Sequence, residues 1–282
     1  MKARLWQSLF LLNLLITTEI IFADNAKKDI SDLKEQNIMS VLYQQTAAER
    51  LAGSLQTFRS AKQALDNALA DSSWSALPGQ DVKGKRPAII VDVDETVLDN
   101  TAYEARMILD GTKYPEGWIN WGKEAVATEV PGAKDFLNYA ASKGVTIFYV
   151  TNRVIELKES TKKNLTKLNI PWDQSIDTVL MRGENNWDSN KGPRRELIGE
   201  KYRVLLMVGD NLGDFVDAKD NNLSPKKRKE IVRAYSDYWG VKWFMIQNIA
   251  YGDWEGALYD FDYSLSPDEV NSARLKNLKP LR

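Results

Sequence analysis

Four carboxylates carry the chemistry this sequence can offer. Asp92 and Asp94 stand in Asp92-Val93-Asp94-Glu95-Thr96, and Asp210 and Asp214 in Gly209-Asp210-Asn211-Leu212-Gly213-Asp214. Each pair directly follows a short apolar run, Ala88 to Val91 for the first and Val204 to Val208 for the second. Another run, Val145 to Val150, leads into Thr151-Asn152-Arg153, and Lys191 comes ten residues after the run Thr178 to Met181. If these runs are neighbouring parallel strands, their carboxyl ends line one crevice, where the acids, the threonine and the lysine converge. Any one of these strings could be ordinary turn or helix-cap chemistry; their joint placement at strand ends is what points to a site. Four acids gathered without a counter-charge would be costly through repulsion and desolvation, and a divalent cation removes much of that cost. Oxygen ligands select a hard ion, and Mg²⁺ is the expected one, taking one or two carboxylates and keeping waters and a substrate phosphate in its shell.

What the chain lacks narrows the alternatives. Its 282 residues include no histidine and no cysteine. A disulfide, a thiolate nucleophile, a Cys/His zinc site and a Ser-His-Asp triad are therefore all excluded, as is a haem held by either residue. An enzyme built from this chain must work with carboxylates, hydroxyls, lysine, arginine and a hard metal ion.

The elements that must position these groups can be read from the spacing. A fifth run, Val241 to Ile246, joins the four above. All five are short, rich in β-branched residues and nearly continuous, as expected of parallel strands covered on both faces. Helix signals lie between them: Pro131 and Gly144 bracket one helix, Glu156 to Leu168 has helical periodicity, and Arg194 to Lys201 gives a short third. The alternation predicts a doubly wound α/β fold with a parallel sheet. About 50 residues separate the first run from the second, far more than one crossover helix needs. An insertion at about 101–130, containing Trp118 and Trp121, is expected there as a small, mostly helical cap over the strand ends. Upstream, Leu51, Leu55, Phe58, Ala61, Leu65 and Leu69 form an apolar stripe, predicting a helix or helix pair in an N-terminal segment 24–84 that packs on a catalytic domain 85–282. A coiled-coil dimer is the weaker reading of that stripe, because it covers fewer than three heptads.

At the N-terminus, Lys2 and Arg4 precede an apolar run from Leu5 to Ile16, followed by Thr17, Thr18 and Glu19 and by the small residue Ala23. This reads as a signal peptide over 1–23, shorter and more interrupted than a membrane span, giving an exported, periplasmic or secreted protein with no stable membrane anchor after cleavage. The full chain carries 38 basic and 39 acidic side chains; loss of Lys2, Arg4 and Glu19 leaves a formal net charge of minus 2. A nucleic acid polymer is therefore not an expected partner, and the basic run Lys226-Lys227-Arg228-Lys229 reads as a solvated helix face. A homodimer is left open.

The extended strings carry a resemblance. Asp92-Val93-Asp94-Glu95-Thr96-Val97-Leu98-Asp99-Asn100, Val150-Thr151-Asn152-Arg153, Lys191 and Gly209-Asp210-Asn211-Leu212-Gly213-Asp214-Phe215 resemble the four motifs of the haloacid dehalogenase superfamily. With Ala250-Tyr251-Gly252-Asp253-Trp254-Glu255, they are similar more closely to class C bacterial acid phosphatases, from about residue 30 to the C-terminus. The resemblance implies a Mg²⁺-dependent phosphomonoesterase in which Asp92 is the nucleophile and Asp94 the general acid and base. It implies Mg²⁺ held by Asp92, the Asp94 carbonyl and Asp210, with Asp214 orienting that shell. Thr151 and Lys191 are expected to bind the transferring phosphoryl oxygens. On the substrate side it implies a small phosphomonoester, an aryl phosphate or nucleoside 5′-monophosphate, with Asn152, Arg153, Trp118, Trp121 and Tyr251 as candidate contacts. Packing is the competing reading for both tryptophans. Many relatives are lipoproteins anchored through a cysteine, which this chain lacks. Transfer of phosphate to an alcohol, and a non-enzymatic binding or storage role on the same scaffold, are the alternative functions.

Overall fold

The computed structural model of the chain describes residues 33–216 and 223–280. The leader expected over 1–23 and the first part of the helical segment lie outside the described residues. Two helices, α1 (Leu33–Thr46) and α2 (Ala48–Ala70), precede strand β1 (Arg86–Val91). Next come the two-residue strand β2 (Leu98–Asp99), helices α3 (Thr101–Asp110) and α4 (Trp118–Glu124), and strand β3 (Thr128–Glu129). The chain continues through α5 (Ala133–Ser142), β4 (Thr146–Val154), α6 (Lys158–Lys167), β5 (Val179–Arg182), α7 (Gly192–Lys201) and β6 (Tyr202–Gly209). It closes with α8 (Pro225–Ala234), β7 (Trp243–Met245), α9 (Asp253–Gly256) and α10 (Pro267–Asn277).

The five apolar runs form one parallel sheet in the order β5-β4-β1-β6-β7. Successive residues point to opposite faces, so a sheet covered on both sides needs apolar side chains at every position. Ile89, Val91, Ile147, Tyr149 and Val208 pack with Phe58, Ala61 and Leu65 of α2 and Phe136 and Leu137 of α5. Ala88, Ile90, Phe148, Val150, Val204 and Met207 pack on the other side with Ile198 of α7 and Trp243. Ala88 pairs with Val204 but Ile89 with Leu206, so one extra residue is accommodated in β6 and both Leu205 and Leu206 reach the first face.

Three expectations shift in detail. Strand β4 runs on to Val154, so Thr151, Asn152 and Arg153 belong to its end rather than to a loop. The fifth run narrows to Trp243–Met245, with Val241 turned to solvent. The stripe on α2 holds for Phe58, Ala61 and Leu65 but fails at Leu51 and Leu55, which are 47% and 41% exposed. At that end the inward positions are Arg50, paired with Asp99 at 3.1 Å, and Ser54, which donates to the Pro131 carbonyl at 2.7 Å. The helix there meets the polar neck of the insertion rather than the sheet, and polar partners replace apolar ones.

That neck is the antiparallel pair β2-β3, with Leu98 opposite Glu129 and Asp99 opposite Thr128. Between its strands, α3 and α4 make a small cap around Tyr103 and Trp118, whose rings meet edge-on at 5.1 Å. The basic run lies on α8, where Ser224 caps the helix by accepting from the Lys227 N–H at 3.3 Å. Lys226 and Lys227 are solvated as expected, but Arg228 turns inward. No helix among the described residues is long and apolar enough to cross a membrane.

Candidate active site

The strand ends bring the sequence motifs together. Past β1 the backbone of Asp92 still bonds to β6, its N–H donating to the Val208 carbonyl at 2.9 Å, so the first acid is fixed to the centre of the sheet. The chain then reverses through Glu95, whose φ of 57° lies in the left-handed region. The N–H groups of Val97 and Leu98 return to the Val93 carbonyl at 2.9 and 2.8 Å. Asp92 is only 6% exposed.

Around it the charges are arranged in two separate pairings. The Lys191 ammonium donates to Oδ1 of Asp92 and, at 2.6 Å, to Oδ1 of Asp214. The other Asp214 oxygen accepts from the Asn211 N–H at 2.9 Å. Asp94 is held instead by Arg153, whose Nε and Nη2 lie 2.9 and 2.8 Å from its Oδ1. Asp210 Oδ2 accepts from the Asn248 amide at 2.9 Å, and Thr96 Oγ1 lies 3.5 Å from both Asp92 Oδ2 and Asp210 Oδ1. Gly209, the last residue of β6, is required by this packing: a Cβ there would come within 2.6 Å of Asp214 Cβ.

The electrostatics follow from burial. Desolvation is the main cause that pushes the Asp92 carboxyl up to about 6; Lys191 opposes the rise, while Asp214 and Asp94 add to it. Burial, reinforced by Asp92 and Asp214, holds Asp210 well above the usual carboxylate range. For Lys191 burial acts in the opposite sense, but the two carboxylates outweigh it and keep the ammonium above its ordinary value. One lysine cannot balance the acids it faces. Asp92, Asp210 and Asp214 each offer a carboxylate oxygen, all within 4.8 Å of one another. An all-oxygen donor set with excess negative charge fits a hard divalent cation.

The substrate candidates fare unevenly. Trp121 is 3% exposed and its indole N–H donates to Asn100 Oδ1 at 2.9 Å, so it is a buried cap residue and presents no face for stacking. Arg153 is 2% exposed and committed to Asp94. Asn152 is engaged at both ends, accepting from Arg194 at 2.7 Å and donating to the Ser189 carbonyl at 2.9 Å. Thr151 is fully buried, its hydroxyl 3.4 Å from Asp94 Oδ2. Trp118 and Tyr251 remain partly exposed. Trp254, not singled out from the sequence, is 46% exposed beside Tyr251.

Sequence reasoning also missed the polar supports. Asn100, Asn248, Arg194 and Glu95 act through other residues, and an isolated asparagine or arginine carries no signal of that role. Asn248 touches Asp210 with its amide nitrogen and accepts from the Ala250 N–H at 3.0 Å with its oxygen. Arg194 joins the end of β4 to the approach to Lys191 by donating to the Thr151 and Asp188 carbonyls at 2.6 and 3.1 Å. Arg228 reaches Asn211 Oδ1 at 3.3 Å, bringing the basic helix to the rim of the site.

Comparison with known proteins shows the family of this chain. Residues 18–254 match the family described as haloacid dehalogenase superfamily, subfamily IIIB (acid phosphatase). The structure of the class C acid phosphatase from Bacillus anthracis superimposes with a TM-score of 0.78 at 37% identity, covering 89% of this chain and 99% of that one. A second structure of the Bacillus anthracis class C acid phosphatase, with tungstate bound, gives a TM-score of 0.79 at 36% identity, with the same coverage.

Proposed function

This chain belongs to subfamily IIIB of the haloacid dehalogenase superfamily, the class C acid phosphatases, and is a phosphomonoesterase; from that premise we propose a Mg²⁺-dependent hydrolase that passes phosphate through Asp92. The observation that carries the proposal is the group of buried Asp92 and Asp214 and half-buried Asp210, with Lys191 between the two buried members.

Asp92 attacks phosphorus in line with the ester oxygen, forming an aspartyl-phosphate as the P–O bond to the leaving group breaks. Asp94 protonates the departing oxygen and then takes a proton from the water that hydrolyses the intermediate, regenerating Asp92. Lys191 and Thr151 are the donors for the phosphoryl oxygens, Lys191 being held in place by Asp214. Asp92, Asp210 and the Asp94 carbonyl would hold Mg²⁺, which supplies neutralisation of the charge spread over those oxygens. Both Asp214 oxygens already accept from Lys191 and Asn211, which suits a residue that orients the cluster rather than one that binds directly. The tungstate bound by the Bacillus anthracis enzyme is a tetrahedral oxyanion of the same shape class as phosphate and supports this assignment.

The substrates are aryl phosphates and nucleoside 5′-monophosphates, with Trp118, Tyr251 and Trp254 as the aromatic faces available to a ring. The basic, apolar N-terminus supports export to the periplasm or the exterior. Asp92→Asn should abolish hydrolysis of 4-nitrophenyl phosphate with the melting curve retained, and EDTA should abolish it in the native enzyme. Full activity of the variant would remove the nucleophile; full activity in EDTA would remove the metal. A panel of aryl phosphates, nucleotides and sugar phosphates, run with and without glycerol as acceptor, sets the substrate class and separates hydrolysis from transfer.

A further inference from the structure

The two oxygens of Asp94 are not equivalent. Oδ1 accepts from Asn100 Nδ2 at 2.8 Å and from Arg153 Nε at 2.9 Å, with Arg153 Nη2 at an ion-pair distance of 2.8 Å, whereas among the described residues Oδ2 has only the Thr151 hydroxyl, at 3.4 Å. Asn100 cannot be turned over. Its Oδ1 accepts from Trp121 Nε1 at 2.9 Å and from Arg153 Nη2 at 3.1 Å, and both are donors with no accepting capacity. Its Nδ2 must therefore face Asp94. The backbone N–H of Asn100 is fixed as well, donating to Glu95 Oε1 at 2.7 Å, and Arg153 is braced by Thr161 Oγ1 at 3.1 Å from α6. Asn100 itself is fully buried.

We propose that Asn100, clamped by the Trp121 indole of the cap, is a positioning residue that reserves Asp94 Oδ2 for proton exchange with the leaving group. The inference rests on the assignment of Asp94 as general acid. Oδ1, its two lone pairs taken by the Asn100 and Arg153 Nε donors with the guanidinium charge beside them, has none free for a proton. The proton sits on Oδ2, passes to the ester oxygen as its bond to phosphorus breaks and that oxygen takes the bonding pair, and is replaced from the attacking water. Without the clamp, the carboxyl group can rotate and present either oxygen, and protonation of the leaving group is no longer aligned with bond cleavage.

A group that acts only by orienting the acid has a specific kinetic mark. A leaving group stable as an anion needs little protonation, whereas an alkoxide needs it fully. Trp121→Phe keeps an aromatic ring but removes the donor; Asn100→Ala removes the hub. Values of kcat/KM are measured for 4-nitrophenyl phosphate and benzyl phosphate, with melting curves for each variant. In both variants benzyl phosphate should lose at least about tenfold more than 4-nitrophenyl phosphate, a fraction of what general acid catalysis contributes. Equal losses on the two esters, or none, overturn the proposal, and Trp121→Phe decides alone if Asn100→Ala does not fold. Asp92→Asn, assayed alongside, separates the failures: if it stays active the phosphatase site is misassigned, and if it is inactive while the two esters fall together only the clamp is refuted.

Discussion

Replacing Lys191 with methionine tests the electrostatic account of the site most directly. The ammonium is bound to Asp92 and Asp214 with all three side chains at most 8% exposed, so its removal leaves two buried carboxylates without the cation they share. Removing one partner of a buried ion pair costs about 3–5 kcal/mol. In a domain of this size each kcal/mol moves the melting temperature by about 2–4 °C, so Lys191→Met should melt roughly 6–20 °C below the native protein in EDTA. Adding Mg²⁺ should recover more stability in the variant than in the native protein, since the cation then relieves a larger repulsion. The assay is thermal unfolding followed by circular dichroism, in EDTA and across a Mg²⁺ series, with 4-nitrophenyl phosphate turnover measured in parallel. A variant melting within about 2 °C of the native protein in EDTA would show that the acids do not need this lysine, and the argument for a cation from excess charge would fall with it.

Three further outcomes follow from other parts of the structure. Gly209→Ala forces a Cβ against Asp214 and should cost about 1–3 kcal/mol with a marked loss of turnover, measured by urea unfolding and steady-state kinetics. Asn248→Ala removes the amide that orients Asp210 and should weaken Mg²⁺ binding about 10–100-fold by calorimetric titration; unchanged affinity would exclude the role. On α3, burial raises Glu104 from its ordinary 4.5 to about 7, so the folded state favours the neutral acid. Its contribution to stability is fully present below about 4.5 and is lost as pH rises through about 7. Glu104→Gln should therefore match the native protein at pH 4 and exceed it by on the order of 1–3 kcal/mol at pH 8, as read from urea midpoints.

The sheet was legible because continuous β-branched runs have few other places to go, and all five pair as the pattern predicts. The charged motifs were legible for a related reason: they follow those runs immediately, so locating a strand locates its acid. On α2 the periodicity was right, but which turns meet the sheet and which meet the cap neck depends on tertiary contacts, and Leu51 and Leu55 are outward for that reason. Arg153 and Trp121 were read as candidate substrate contacts, whereas both turn inward, to Asp94 and to Asn100. An arginine after a strand could as well greet a substrate as brace an acid, and only the Asn100 amide between them resolves it. Arg228 was hidden in a run of lysines whose other members are solvated.

The indole N–H that reaches from α4 down to Asn100 also bears on how such enzymes could be redesigned. The insertion joins the sheet through a slender ribbon, which invites exchanging it wholesale to obtain new leaving-group preferences. Yet a transplanted lid without a donor at that spot would leave an amide oxygen short of a partner beneath it, so a graft chosen for selectivity alone should come out slower on alkyl esters until that donor is restored.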